Sequence, residues 1–121
     1  MITIIIEVIP HDKQRYPTCG DWQFYDNDCQ LVVRVSQLGD WRYETLVGIH
    51  EVVEALLCKH HGISESVVDQ FDMNFIGDGE PGDDPGCPYR KEHHFATIIE
   101  KLFAWALGVD WQVYDKKVEE L

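Results

Sequence analysis

The chain of 121 residues contains no long apolar run. No segment approaches the roughly 18 consecutive apolar residues that a membrane-spanning helix needs, so we expect no membrane insertion. The start of the chain, Met1 to Ile9, is apolar but lacks a basic leader and a cleavage site of small residues. It is therefore not typical of a signal peptide, and we expect a cytoplasmic protein.

Basic residues are also scarce. Lysine and arginine number 10 against 22 aspartates and glutamates, which gives a formal net charge of −12. Phosphate backbones repel such a chain, so we expect no direct binding of nucleic acid. An acidic surface can instead keep a small protein soluble, or imitate the charge of nucleic acid toward a protein partner.

Closely spaced cysteines are missing as well. The four cysteines, Cys19, Cys29, Cys58 and Cys87, form no C-x-x-C pair. In a cytoplasmic protein we expect them to be reduced thiols. A structural zinc site built from all four stays open as an alternative, although the usual spacing of such sites is lacking.

The residues that are present predict a single domain over residues 1–121, with its strands near the N-terminus. Hydrophobic residues make up 45% of the chain and aromatic residues 12%, which is typical of a protein with a core. Alternating residues over 2–9 predict one strand, and residues 22–25 and 31–35 predict a hairpin. In the hairpin we expect the core to be contacted by Leu31, Val33 and Val35. One small antiparallel sheet of about three strands is the economical arrangement.

Helical patterns fill the rest of the chain. Asp40 is a suitable N-cap for a helix that runs to about His61, where Gly62 ends it. Ser64 begins a short second helix that reaches about Phe71. Together with the helices that follow, this predicts an α+β fold in which the sheet precedes three or four helices.

A loop and two further helices complete the prediction. Four glycines and three prolines make residues 77–88 a loop, whose acidic residues lack EF-hand spacing and are better suited to a mobile lid than to a calcium site. A helix follows from about Tyr89 to Leu107, and Asp110 caps a last one. The core-facing stripe of the first helix is predicted to be Leu46, Ile49, Val52, Val53, Leu56 and Leu57. That of the third is predicted to be Phe95, Ile98, Ile99, Leu102, Phe103 and Ala106.

The most informative motif is H-E-x-x-E, over residues 50–54 of the first helix. Residues four apart on a helix lie one above the other, so His50 and Glu54 point the same way and can close on one metal ion. Glu51 is rotated by about 100° from His50 and flanks that ion as a candidate general base. A solvated helix face that carries His and Glu by chance is the alternative.

A catalytic zinc needs a third protein ligand and an open position for water. His93 is the best candidate, because it shares a polar stripe with Glu100 on a second amphipathic helix; His94 is the runner-up. Glu100 is predicted either as a further ligand or as a carboxylate that orients a histidine. If all the carboxylates take part, two metals become possible. In this hypothesis the metal activates a water molecule and Glu51 takes its proton.

Residues 49–54 resemble the active-site helix of zincin-like metallopeptidases, in which His50 and Glu51 have counterparts of the same type. The resemblance implies a zinc-dependent hydrolase. The sequence departs from it at Glu54, where those enzymes have a second histidine. An added carboxylate hardens the site and can favour Mn²⁺ or Fe²⁺.

A second resemblance covers most of the chain. Residues 20–22, the helix of His50, the loop from Pro81 to Tyr89 and the stretch from Glu92 to Glu100 resemble small uncharacterised proteins of bacteriophages and prophages. This resemblance implies a protein that acts in a bacterial cytoplasm, and it does not imply a particular activity. Three possibilities stay open: a metal-dependent hydrolase, a non-catalytic acidic interaction or inhibitor protein in which any metal is structural, or a structural domain that binds no metal.

Overall fold

The computed structural model describes residues 1–121 and contains a three-stranded sheet followed by four helices. This confirms the predicted α+β fold. The strands are β1 (Thr3–Ile9), β2 (Gly20–Tyr25) and β3 (Gln30–Ser36). The helices are α1 (Trp41–His60), α2 (Glu65–Asn74), α3 (Arg90–Ala106) and α4 (Trp111–Glu119). Single 3₁₀ turns lie at His11–Lys13 and Pro81–Asp83.

The sheet has the strand order β1-β3-β2. Strands β2 and β3 form the predicted antiparallel hairpin, and its turn uses Asp26, Asn27 and Asp28, all with positive φ. Asp and Asn tolerate that conformation better than other non-glycine residues. Strand β1 instead pairs with β3 in parallel, so the sheet is mixed rather than wholly antiparallel. The connection over residues 10–19 crosses from one edge of the sheet to the other at the same end of β3, because Ile9 pairs with Ser36 and Gly20 pairs with Val35.

Helix α1 begins and ends where the sequence predicts. The side chain of Asp40 accepts a hydrogen bond from the backbone N–H of Arg42, and His61 occupies the C-cap position. Gly62 follows with a φ of 72°, the left-handed conformation that favours glycine. None of the helices is both long and apolar enough to cross a membrane.

Helix α1 packs over the sheet and against α3. A Cβ atom on Gly48 would lie 3.0 Å from a methyl group of Ile6, so the helix approaches β1 closely at this glycine. Leu31, Val33 and Val35 of β3 are fully buried under the helix, as predicted. The other buried core residues come from the sheet and from helices α1, α3 and α4. They include Trp22, Leu46, Val47, Ala55, Cys58, Ala104 and Tyr114.

The predicted core stripe of α3 is wrong, and that of α1 is confirmed in part. Leu46 of α1 is fully buried, and the half-buried Val52 and Leu56 pack against the core. The predicted residues of α3 are exposed or half-buried. The buried side of α3 consists instead of Glu92, His93, Ala96, Glu100 and Ala104. The reason is that α1 and α3 pack against each other through their polar stripes, whose side chains form hydrogen bonds and ion pairs with one another. The small residues Ala96 and Ala104 allow this close approach.

Candidate metal centre

The polar stripes of α1 and α3 meet at a cluster of three buried side chains. His50 and Glu54 are one helical turn apart on α1 and both point toward α3, as the motif spacing requires. His93 comes from the first turn of α3 and lies against them. His50, Glu54 and His93 are each at least nine-tenths buried.

The three side chains present one atom each to a common point. His50 Nε2 lies 3.2 Å from Glu54 Oε2 and 3.1 Å from His93 Nδ1. His93 Nδ1 lies 3.0 Å from the same Glu54 oxygen. These atoms therefore form a nearly equilateral triangle, and the group can hold a metal ion. The structure brings together the three side chains that the sequence predicts as metal ligands.

Glu100 lies on the far side of the His50 ring. Its Oε1 atom is 2.8 Å from Nδ1 of His50, the nitrogen that faces away from the triangle. The hydroxyl of Tyr114 donates to the other Glu100 oxygen over 2.6 Å. Of the two roles predicted for Glu100, this geometry corresponds to orienting the histidine, because its oxygens contact neither Glu54 nor His93.

A side chain of the sheet fixes the carboxylate of Glu54. The indole N–H of Trp22 donates to Oε1 of Glu54 over 3.1 Å, in a fully buried contact. This leaves Oε2 as the oxygen directed at the two histidines. Strand β2 thus fixes the carboxylate in one orientation.

The loop before α3 covers the other side of His93. Nε2 of His93 lies 3.0 Å from Glu80 and 3.3 Å from Asp83, yet no hydrogen-bond acceptor is aligned with it. His93, Glu80 and Asp83 form a second group able to hold a metal, although both carboxylates are exposed. The backbone of Gly82 presses on the His93 ring so closely that a Cβ atom there would overlap it.

The charges of the cluster are strongly coupled. Burial lowers the pKa of His50, but its contacts with Glu100 and Glu54 outweigh burial and hold that pKa well above its usual range. Burial likewise opposes protonation of His93, whose pKa Glu54 and Glu80 nevertheless raise to about 10. For Glu54, burial acts to raise the pKa, while the two histidines bring it down to about 2. Protonated imidazoles and ionised carboxylates therefore compensate one another inside the protein.

Glu51, the predicted base, lies on the side of α1 that faces the start of β2. A Cβ atom on Gly20 would lie only 2.8 Å from Cγ of Glu51, so this glycine makes room for the side chain. Burial, and then the charge of Glu54, raise the pKa of Glu51 well above its usual range. Glu51 is adjacent to the cluster and contributes no atom to its triangle.

A second polar network lies beside the cluster and joins the loop over residues 10–19 to α2. Arg15 forms hydrogen-bonded ion pairs with both Asp21 and Asp69. Asp72 accepts hydrogen bonds from the hydroxyls of Tyr16 and Tyr89. Burial raises the pKa of Asp72 to about 6, although both hydrogen bonds oppose that rise.

Several residues of the site have no signal in the sequence. Trp22 and Tyr114 look like core residues of a strand and a helix, and Glu80 and Asp83 look like part of an acidic loop. Their contacts with the cluster arise from tertiary packing, which residue spacing does not report. His94, the alternative third ligand, is exposed and lies outside the cluster.

Comparison with known proteins identifies no relative. No protein-family model, no curated protein and no solved structure matches the chain.

Proposed function

We propose that the protein is a metal-dependent hydrolase in which His50, Glu54 and His93 bind the metal. The triangle of their ligand atoms, with sides of 3.0 to 3.2 Å, carries the proposal. Zinc bonds of about 2.0–2.1 Å in a tetrahedron separate neighbouring ligands by roughly 3.3 Å. The side chains therefore need to move by only a few tenths of an ångström to become three corners of a tetrahedron around zinc.

The surroundings of His50 support this assignment. Histidines that bind metals usually donate their other ring N–H to a carboxylate, which fixes the tautomer and makes the ligand more basic. Glu100 occupies that position on His50 and is itself held by Tyr114. A purely structural ion pair would not require this second carboxylate.

Zinc is the proposed metal because two imidazoles and one carboxylate are a known ligand set of catalytic zinc sites. The same set also suits Fe²⁺, which prefers six ligands and leaves three positions open. A bound zinc would lower the pKa of a water molecule in its open position toward ~7. Glu51, next to His50 on α1, is the residue that would accept the proton of that water.

The charge around the cluster narrows the substrate class. Glu51, Glu80, Asp83 and Glu100 surround the three ligands with carboxylates. No lysine or arginine contacts the cluster, so little would offset the charge of a phosphate group. A neutral or cationic carbonyl compound, such as an ester or a peptide, is therefore the proposed substrate rather than a phosphate ester.

Access to the cluster would require the loop over residues 77–88 to move. His93 is buried because Gly82 lies over its ring, and Glu80 and Asp83 flank that ring. Among these, Glu80 and Asp83 are exposed side chains of a loop without strand or α-helix. This supports the role of a lid, in which opening uncovers the metal and closing excludes water.

Hydrolysis of ester and peptide substrates by the zinc-loaded protein tests the proposal. Replacing Glu51→Gln should keep the metal and lower the rate by roughly 10²- to 10⁴-fold, the usual contribution of a general base. Glu119→Gln, an exposed glutamate on α4, is the matched control and should leave the rate unchanged. A Glu51→Gln rate equal to that of the wild type would remove Glu51 from the role of base.

A non-catalytic interaction protein with a structural metal is the second candidate, and one observation favours it. All three ligands are buried, as in structural sites, which keep no open position for water. In that case His93→Ala should lower the free energy of unfolding measured in the presence of zinc, and the wild type should hydrolyse no substrate. Binding of the acidic surface to a partner should then weaken as salt rises.

A further inference from the structure

One side of α3 carries large apolar side chains that no other part of the chain covers. We call these four residues the α3 stripe. Their exposed fractions are 50% for Phe95, 49% for Ile98, 61% for Leu102 and 83% for Trp105. The opposite side of the same helix is buried against α1 and carries the polar cluster. The helix therefore turns its apolar side to solvent and its polar side to the interior.

The area of this stripe is large for a monomer. Side chains of this size offer roughly 150–250 Å² each, so the exposed fractions leave on the order of 500 Å² of apolar surface on one helix. Monomeric proteins rarely expose a continuous apolar patch larger than a few hundred Å². A surface of this kind is usually covered by a partner.

The spacing of the stripe matches a helix as the partner. Phe95, Ile98, Leu102 and Trp105 are separated by three, four and three positions. This is the spacing of the apolar seam in a coiled coil, where each side chain inserts between residues of a facing helix. The seam extends over about 15 Å, or nearly three helical turns.

We propose that the α3 stripe is a homodimer interface, in which α3 of one protomer packs along α3 of its partner across a two-fold axis. Such an interface uses the same patch on both copies and closes without further growth. Two stripes together bury about 1,000 Å², the lower limit for a specific interface.

Charge favours a second copy over a membrane as the occupant. The two acidic residues of α3, Glu92 and Glu100, are both buried, so the exposed part of this helix carries no carboxylate. It carries instead the exposed cations Arg90, Lys91 and Lys101, which the acidic remainder of a second copy, with its net charge of −12, complements. An anionic bilayer would be repelled by the rest of the chain, whose net charge of −12 exceeds the local charge of the three exposed cations on α3, Arg90, Lys91 and Lys101.

The mass of the protein in solution, measured by light scattering over a concentration series, tests this proposal. The wild type should have twice the chain mass of 14.1 kDa. Leu102→Glu should yield a monomer, because it introduces a charge into the middle of the stripe. Val113→Glu, which replaces an exposed apolar residue on α4, is the matched control and should stay dimeric.

Circular dichroism of each variant separates loss of the dimer from loss of the fold. If Leu102→Glu loses its helical signal, the mass in solution is measured on Leu102→Gln instead. A wild type that stays monomeric at all concentrations would overturn the proposal, as would a folded Leu102→Glu or Leu102→Gln that dimerises like the wild type. The stripe lies opposite His93 and Glu100, so zinc binding by the folded variants should be unchanged.

Discussion

Glu100 and His50 are paired across the interface of α3 and α1, with Oε1 of the carboxylate 2.8 Å from Nδ1 of the imidazole. This contact directs Nε2 of His50 toward Glu54 and His93. It therefore determines which nitrogen of His50 is available to a metal. Its partner Tyr114 links the arrangement to α4.

Replacing Glu100→Gln should weaken zinc binding without abolishing it. The amide keeps the shape of the side chain but loses the charge that makes His50 a stronger ligand. Loss of such an orienting carboxylate usually costs 10- to 100-fold in metal affinity. Competition with a chromogenic chelator measures the effect, and Glu120→Gln, an exposed residue, is the control. Equal affinities in the two variants would mean that Glu100 does not orient His50.

Replacing Tyr114→Phe should lower the free energy of unfolding. The hydroxyl is buried and donates to Glu100, so its loss leaves a buried carboxylate oxygen without a partner. Such a loss typically costs about 1–3 kcal/mol. Urea denaturation measures it. Tyr25→Phe removes a hydroxyl from an exposed tyrosine and should cost less; the same cost in both variants would show that the buried hydrogen bond is unimportant.

Asp72 should make stability depend on pH in a mildly acidic range. Because burial raises its folded-state pKa from 3.8 to about 6, the folded protein binds more protons than the unfolded chain between these values. The free energy of unfolding should therefore fall as pH rises from about 4 to about 6, by at most about 3 kcal/mol. Asp72→Asn should remove this fall, which urea denaturation at several pH values would detect. A variant whose stability falls with pH as steeply as the wild type would contradict this assignment.

Gly82 should tolerate no larger residue while the loop covers His93. A Cβ atom at this position overlaps the imidazole, so Gly82→Ala should force the loop and the ring apart. Overpacking of this kind usually costs about 1–3 kcal/mol. Thermal unfolding and the rate of proteolysis within residues 77–88 report the change. Gly86→Ala, where the added atom meets only the Asp84 side chain at 3.1 Å, is the control and should be milder.

Helix positions and the motif were predictable from the sequence because they depend on local signals. Asp40 and Gly62 mark the ends of α1, and the spacing of His50 and Glu54 places them on one face. The contact of His50 and Glu54 with His93 was also predictable, since the three residues lie on the polar stripes of two amphipathic helices.

The orientation of those helices was not predictable from periodicity. An apolar stripe normally faces the core, so Phe95 and Leu102 were predicted to be buried. The structure instead buries Glu100 and His93, because each finds a charged or hydrogen-bonded partner on α1 or α4. A hydrophobic pattern identifies the apolar side of a helix. It does not show whether that side is buried by the same chain or by another molecule.

The pairing of β1 and the contacts of Trp22 were likewise beyond the sequence. Strand direction depends on the path of the connection over residues 10–19, which contains no regular pattern. The contact of the indole with Glu54 depends on how α1 lies over the sheet. These are long-range relationships, to which residue spacing is insensitive.

Zinc content after purification without chelator and resupply of the metal tests the central claim most directly. We expect one zinc ion per chain in the wild type and in His94→Ala, whose exposed imidazole lies outside the cluster. His93→Ala, altered at the neighbouring position, should retain little or none, because it removes one corner of the triangle. A wild type without stoichiometric metal, or a His93→Ala variant that binds zinc as the wild type does, would contradict the account.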